Sequence, residues 1–244
     1  MPDATFADRR LAGIYDWLEG DRPDLDVYVA MLVDELGART VLDIGCGTGT
    51  LACLLARRGI EVIGVDPAEA SLDVARAKPG AAGVRWILGD ATTLPDVQAD
   101  AAIMTGNVAQ VFLSDEEWHG TLTAVRAALR PGGRLIFETR DPERRAWREW
   151  DRAHTLTRTV IPHVGAVTTW CDVTDVEPPL VSFRGTNVFE ADGAVLTSDS
   201  TLRFRSRGEI ERSLTAAGYV VDEVRDAPDR PGLEFVFIAR PCDP

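Results

Sequence analysis

Five short apolar runs, at 40–44, 61–65, 84–88, 100–104 and 133–138, follow one another with helical stretches at 49–58, 68–77 and 115–129 between several of them. That alternation constrains the fold more than any other feature of the chain. Parallel strands cannot be joined by a tight turn; each pair needs a crossover, usually a helix. Runs that are apolar at nearly every position expect cover on both faces. The expectation is a doubly wound α/β fold around a mostly parallel sheet. The stretch 115–129 is the best marked helix, because Ser114 and Glu117 form a capping box and Trp118, Leu122, Val125 and Leu129 make one stripe. Pro131-Gly132-Gly133 reads as a turn before the strand at 133–138.

The flanks differ from this core. Two helical patterns open the chain, Leu11, Ile14, Tyr15 and Leu18, then Leu25, Tyr28, Leu32 and Leu36, with Gly37 stopping the second. After Asp141 the pattern turns β-rich. Runs between about 155 and 205 have no helical stripe among them, and Asp192-Gly193 marks a turn, so they are predicted to pair antiparallel as an added sheet. Ser206 and Glu209 cap another helix with Ile210 and Leu214 inside and Gly218 at its end; "YVVDEV" and "LEFVFIA" close the chain as a strand pair, bringing the main sheet to seven strands. The expected division is 1–38, a core of 39–141 with 206–241, and an insertion at 142–205.

Charge and cysteines narrow the function. A net charge of −13 with a pI near 4.7 disfavours a nucleic-acid partner, because an acidic surface repels phosphate. Cys46, Cys53, Cys171 and Cys242 show no C-x-x-C spacing, so no metal site is expected and reduced thiols in a cytoplasm are the plainer reading. No apolar run approaches the roughly 20 residues of a bilayer span, and "MPDATFADRR" lacks the apolar centre of a signal peptide. The expectation is a cytoplasmic protein without a membrane partner; the oligomeric state is left open.

"LDIGCGTGTLACLLA", residues 42–56, reads as a strand, a glycine turn and a helix. Free N–H groups at a helix start, with Gly45, Gly47 and Gly49 allowing close approach, suit a nucleotide-like ligand at the carboxyl ends of the strands. A pyrophosphate cofactor prefers G-x-G-x-x-G, but position 50 is Thr50, and Asp43 beside the loop would repel phosphate. A cationic ligand reverses that preference.

"VLDIGCGTGTLACLLARRGIEVIGVD" resembles the first motif of class I S-adenosylmethionine-dependent methyltransferases, an acidic residue followed by G-x-G-x-G. The resemblance covers essentially all of 40–240 and implies a Rossmann-like core with S-adenosylmethionine as cofactor. It places Asp43, Gly45, Gly47 and Gly49 at the amino-acid end, Asp66 on the ribose hydroxyls, and Asp90 with the backbone N–H of Ala91 on adenine. Asn107 lies in the loop beside the methionine portion; Asn107 and Gln110 could there orient an acceptor. Residues 1–38 resemble the helical lid of small-molecule methyltransferases, with Tyr15 over the cofactor and Arg22 at its carboxylate.

The acceptor is expected to be a small molecule. Enzymes acting on exocyclic base nitrogens usually carry Asn/Asp-Pro-Pro-aromatic after the fourth strand, where this chain has "TGNVAQVF". The insertion resembles that of N- and O-methyltransferases of nucleotide-linked amino sugars and glycine-type amines, which would make it the roof of the acceptor pocket. Trp147, Trp150, Trp170, Phe183 and Arg184 are the expected lining, and His154 and His163 the candidate general bases. The competing readings are a protein that binds the cofactor without turnover and a nicotinamide-dependent oxidoreductase.

Overall fold

The computed structural model describes residues 2–242. Its strands are β1 (Thr40–Ile44), β2 (Glu61–Asp66), β3 (Val84–Leu88), β4 (Ala99–Met104), β5 (Leu129–Arg140), β6 (Thr157–Ile161), β7 (Gly165–Glu177), β8 (Leu180–Phe189), β9 (Val195–Arg203), β10 (Tyr219–Asp226) and β11 (Glu234–Pro241). The helices are α1 (Ala4–Ala7), α2 (Arg9–Ala12), α3 (Tyr15–Glu19), α4 (Asp24–Ala30), α5 (Thr50–Arg57), α6 (Glu69–Arg76), α7 (Asp115–Ala128), α8 (Arg152–Thr155) and α9 (Arg207–Ala216). Seven strands form one sheet in the order β10-β11-β5-β4-β1-β2-β3, and β6-β7-β8-β9 form a second, antiparallel one. In the first sheet β3, β2, β1, β4 and β5 run parallel, while β11 and β10 are antiparallel additions. The fold is the expected α/β architecture with its antiparallel insertion.

The uniformly apolar strands are covered on both faces. Trp118, Leu122 and Val125 of α7 and Ile210 and Leu214 of α9 pack on one side. Leu25, Tyr28 and Leu32 of the α4 segment and Leu51 and Leu55 of α5 pack on the other. Both predicted capping boxes form, Ser114 with Glu117 and Ser206 with Glu209.

Two local expectations change. The first helical pattern breaks into α2 and α3, with α2 capped by Asp8, which accepts from the N–H groups of Arg10 and Leu11, and ended by Gly13. The apolar spacing still works, with Leu11 and Ile14 buried against Ile161, Val167 and Phe189 of the second sheet. The Pro-Gly-Gly turn lies inside β5 rather than before it. Leu129 already pairs with Ala99 and Arg134 with Ala101, so the residues between bulge out of the ladder, with Gly132 at φ +80°.

Candidate active site

The parallel strands reverse their order between β1 and β4, and open α/β sheets bind ligands outside such a switch point. Here the chain leaves β1 through Gly45–Gly49, at φ +65°, +52° and +75° for the three glycines, and enters α5. The glycines do different work. A Cβ on Gly49 would collide with the Trp86 ring and lie 2.8 Å from the Ala75 Cβ, so this glycine serves packing. A Cβ on Gly47 would meet nothing within 4 Å, because that position opens on empty space. Asp66 at the end of β2 steadies the turn. Its Oδ2 accepts from the Gly47 N–H at 2.8 Å and its Oδ1 from the Ala68 N–H at 2.8 Å.

Beside the turn lies a cavity of about 510 Å³, walled by Asp43 and Gly45–Thr48 on one side, Thr105, Gly106 and Val108 after β4 on another, and α3 with the α3–α4 turn across the top. That volume lies within the roughly 300–1,000 Å³ of small-molecule sites. Asp43 is 2% exposed, and its carboxyl makes no hydrogen bond to another described residue. Burial, with the Asp66 charge adding to it, pushes its carboxyl up to about 7. A carboxylate aimed unpaired into a cavity suits a cation and repels a pyrophosphate. The donor set therefore fits the sulfonium and ammonium of S-adenosylmethionine.

A second cavity, of about 250 Å³, lies between the N-terminal helices and the antiparallel sheet, where Thr155, Thr169, Cys171, Thr186 and Asn187 give it a polar wall. Tyr15 and Glu19 of α3 belong to both cavities. Burial raises the Tyr15 hydroxyl above its ordinary range, keeping it a neutral donor. Arg22 also lines the larger cavity, and its guanidinium forks onto Asp24 at 2.9 and 2.6 Å, which holds it firmly protonated.

Several other sequence candidates lie outside the walls of these two cavities. Asp90 lies exposed beyond β3, outside both cavity walls, where its Oδ1 accepts from the Thr92 N–H at 2.8 Å and hydroxyl at 2.6 Å. It caps the short turn that begins at Ala91. Asn107 and Gln110 are buried and absent from both walls. The Asn107 amide donates to Glu234 at 3.0 Å, and Gln110 accepts from Arg140 at 3.0 Å, so both amides serve the scaffold. His154 is exposed on α8 beside Asp151, at 2.8 Å, and His163 is exposed in the β6–β7 turn at φ +64°. Neither lines the wall of the two cavities described.

Strand alternation explains the insertion residues. Phe183 faces inward, where it meets Trp150 at 4.9 Å, while Trp147 packs on Phe204 at 4.6 Å. Arg184, one residue on, points outward and forks onto Asp199 at 2.6 and 2.9 Å, so it is not pocket lining. Trp170 contributes to the smaller cavity's wall, although its indole N–H is committed to Asp172 at 2.8 Å.

Sequence reasoning missed a buried polar network behind the site. Glu138 on β5 accepts from the N–H groups of Gly106 and Asn107 and from the Tyr28 hydroxyl. Glu234 on β11 takes Asn107, Arg230 at 2.7 Å and Arg140 at 3.5 Å. Carboxylates inside strands that read as apolar were the available signal. Among the described residues no cluster of metal-ligating side chains occurs.

Residues 41–133 match the family model described as a methyltransferase domain. The cypemycin N-terminal methyltransferase of a Streptomyces species is 33% identical over 132 residues, 54% of this chain and 49% of that protein. The chain spans about half the length of the curated relatives it matches. Two solved structures share the architecture over nearly the whole chain. The CcbJ methyltransferase of Streptomyces caelestis superposes with a TM-score of 0.79 at 23% identity, covering 98% of both chains. CalS10, an amino pentose methyltransferase of Micromonospora echinaspora, gives 0.71 at 24% identity, covering 91% of this chain and 93% of its own. Fold and matched domain together define a Rossmann-like α/β protein with a methyltransferase domain at residues 41–133. Residues 41–133 are thus similar to methyltransferase domains, and the whole chain shares the fold of S-adenosylmethionine-dependent methyltransferases.

Proposed function

We propose that this chain moves a methyl group from S-adenosylmethionine to a nitrogen of a small molecule, an amine borne on a polar, hydroxyl-rich frame. The observation that carries the reading is the pair of adjoining cavities that share Tyr15 and Glu19. When bound, the cofactor supplies a methyl carbon already activated by its sulfonium. The chain's own residues then bind, align and exclude water. Asp43 faces the cationic amino-acid end, with Gly45 and Gly47 giving backbone access and Arg22 meeting the carboxylate. Asp66 takes the ribose hydroxyls on the lone pairs its two backbone donors leave free. Asp90, whose Oδ2 has no partner among the described residues, and the Ala91 N–H take the adenine edge. The insertion 142–205 roofs the acceptor, and residues 1–38 cover both ligands.

Nitrogen is favoured over oxygen by what the smaller cavity offers. Its hydroxyl and amide wall matches a polyol, and Glu19, which has no ion-pair partner among the described residues, supplies a carboxylate where an amine would arrive. The cypemycin and amino pentose enzymes, named for a peptide N-terminus and an amino sugar, support an amine acceptor. No histidine lies on either wall, so the acceptor is expected to enter as the free amine, and the methylated ammonium product to lose its extra proton to bulk solvent on release.

The test is a transfer assay over matched pairs of acceptors, nucleotide-linked amino sugars against their hydroxy counterparts, read as S-adenosylhomocysteine release with a mass gain of one methylene. Turnover of amines alone is the expected outcome. Turnover of the hydroxy members alone refutes the nitrogen assignment. Cofactor binding without turnover of any member leaves the non-catalytic reading standing instead.

A further inference from the structure

The chain contains 26 basic residues, and a single one of them, Lys78, is a lysine. It follows α6, and its ammonium is turned back toward the site. Lys78 Nζ lies 2.7 Å from Asp16 Oδ2 and donates to the Thr50 hydroxyl at 2.7 Å. The other oxygen of Asp16, Oδ1, accepts from the Thr48 hydroxyl at 2.6 Å and from that of Thr50 at 3.3 Å. Lys78 is 19% exposed and Asp16 35%, so the ammonium is largely withdrawn from water while the carboxylate is about one-third exposed.

Three elements meet at this cluster. Asp16 belongs to α3, between Tyr15, which lines both cavities, and the half-exposed Trp17. Thr48 and Thr50 flank Gly49 at the start of α5, where the helix's positive end favours a carboxylate. Lys78 brings in the segment after α6. Other ties of the N-terminal segment run to different places: Thr5 N–H to Ser198, the Ser71 hydroxyl to the Phe6 carbonyl, and Arg10 to Asp192 at 2.9 Å. Among the described residues, Asp16 makes all of α3's side-chain polar contacts with the core.

We propose that Asp16 and Lys78, with Thr48 and Thr50, form a latch that holds α3 across the cofactor cavity, so that they act as positioning residues for Tyr15 and control escape of the cofactor. The inference rests on the cavity being the S-adenosylmethionine site. Breaking the latch leaves the glycine turn and Asp66 intact, so the cofactor still docks but is no longer covered. Dissociation then accelerates more than association changes, and Tyr15 spends less time in place.

Because Lys78 carries the chain's only side-chain amine, the latch can be read chemically. Mild acylation followed by mass spectrometry compares Lys78 with the α-amino group of the purified chain as an internal reference. The companion measurement is S-adenosylhomocysteine dissociation by stopped-flow displacement, on wild type, D16N, K78M and the conservative K78R. The expected result is slow Lys78 acylation in wild type and faster acylation in D16N. Loss of a partly buried charged hydrogen-bonded pair is expected to speed dissociation about tenfold in D16N and K78M, with K78R restoring most of the wild-type rate. A simple packing role predicts a lower melting temperature with an unchanged dissociation rate, and that result overturns the latch. Lys78 acylation unaltered by D16N overturns it too. A wild-type chain that binds no S-adenosylhomocysteine instead overturns the reading of the cavity, and the cofactor-retaining role with it.

Discussion

The binding of S-adenosylmethionine should release a proton and tighten as pH rises through neutrality. Asp43 is the reason: burial, with the Asp66 charge second, pushes its carboxyl up to about 7 in the ligand-free chain. A sulfonium and an ammonium beside it favour the carboxylate and pull that value down in the complex. The complex therefore holds fewer protons than the free chain, and affinity grows with pH until Asp43 is already ionised. With a free value of about 7, the ionised fraction rises about 25-fold between pH 5.5 and 7.5, worth about 2 kcal/mol at 1.36 kcal/mol per pKa unit. The cofactor's own α-amino group, ordinarily near 7.7–8.0, has lost about half its charge by pH 8, so the informative window ends at about pH 7.5.

Calorimetry in two buffers of different ionisation enthalpy reads both the dissociation constant and the proton count. Wild type is expected to follow the 25-fold trend with nearly one proton released at pH 6. Asp43→Asn should give a flat profile, near the wild-type affinity at pH 5.5. A flat wild-type profile with no proton release refutes the assignment of Asp43 to the cationic end. The same group makes a stability prediction of opposite sense. A carboxyl whose folded value lies above its unfolded one is destabilised as it ionises, so the ligand-free chain should lose stability between pH 4 and 7. At this site the loss is roughly 4 kcal/mol and should vanish in Asp43→Asn.

Two further perturbations separate packing from binding. Gly49→Ala forces a side chain onto Trp86 and Ala75 at φ +75°, and should cost about 2–4 kcal/mol of stability in urea titrations. Gly47→Ala, at φ +52° with open space before it, should cost only about 1–2 kcal/mol while weakening the cofactor disproportionately, and equal effects of the two on melting would contradict the division. Arg184→Ala removes an exposed ion pair on the outer face of the second sheet, so the melting temperature should stay essentially unchanged and acceptor KM should not move; a raised KM would return Arg184 to the pocket.

The core was legible in the sequence because its signals are local and redundant. β1 through β4 begin and end within a residue of their apolar runs, and the capping boxes before α7 and α9 are four-residue patterns. The glycine turn and Asp66 were legible for the same reason: strand end, turn and helix start are consecutive. What escaped depends on chain segments distant in sequence. Asp16 and Lys78 are 62 residues apart, and the Glu138 network draws on β5, α4 and the loop after β4. Asn107 and Gln110 were placed in the right loop, but which way a loop amide turns is decided by Glu234 and Arg140, on strands the loop itself does not reveal. Arg184 shows the narrowest miss, since a β-strand sends neighbouring residues to opposite faces and the period alone does not say which face is inside.

The cavity beyond β1 and β4 suits a cationic adenosyl cofactor. The direct measurement is calorimetric titration of the purified chain with S-adenosylmethionine, S-adenosylhomocysteine and NAD at pH 7.5. Saturable binding of the first two at one site, with NAD silent, is the predicted result. Binding of NAD with neither adenosyl compound would contradict the claim and make Asp43 and Thr50 part of a dehydrogenase loop.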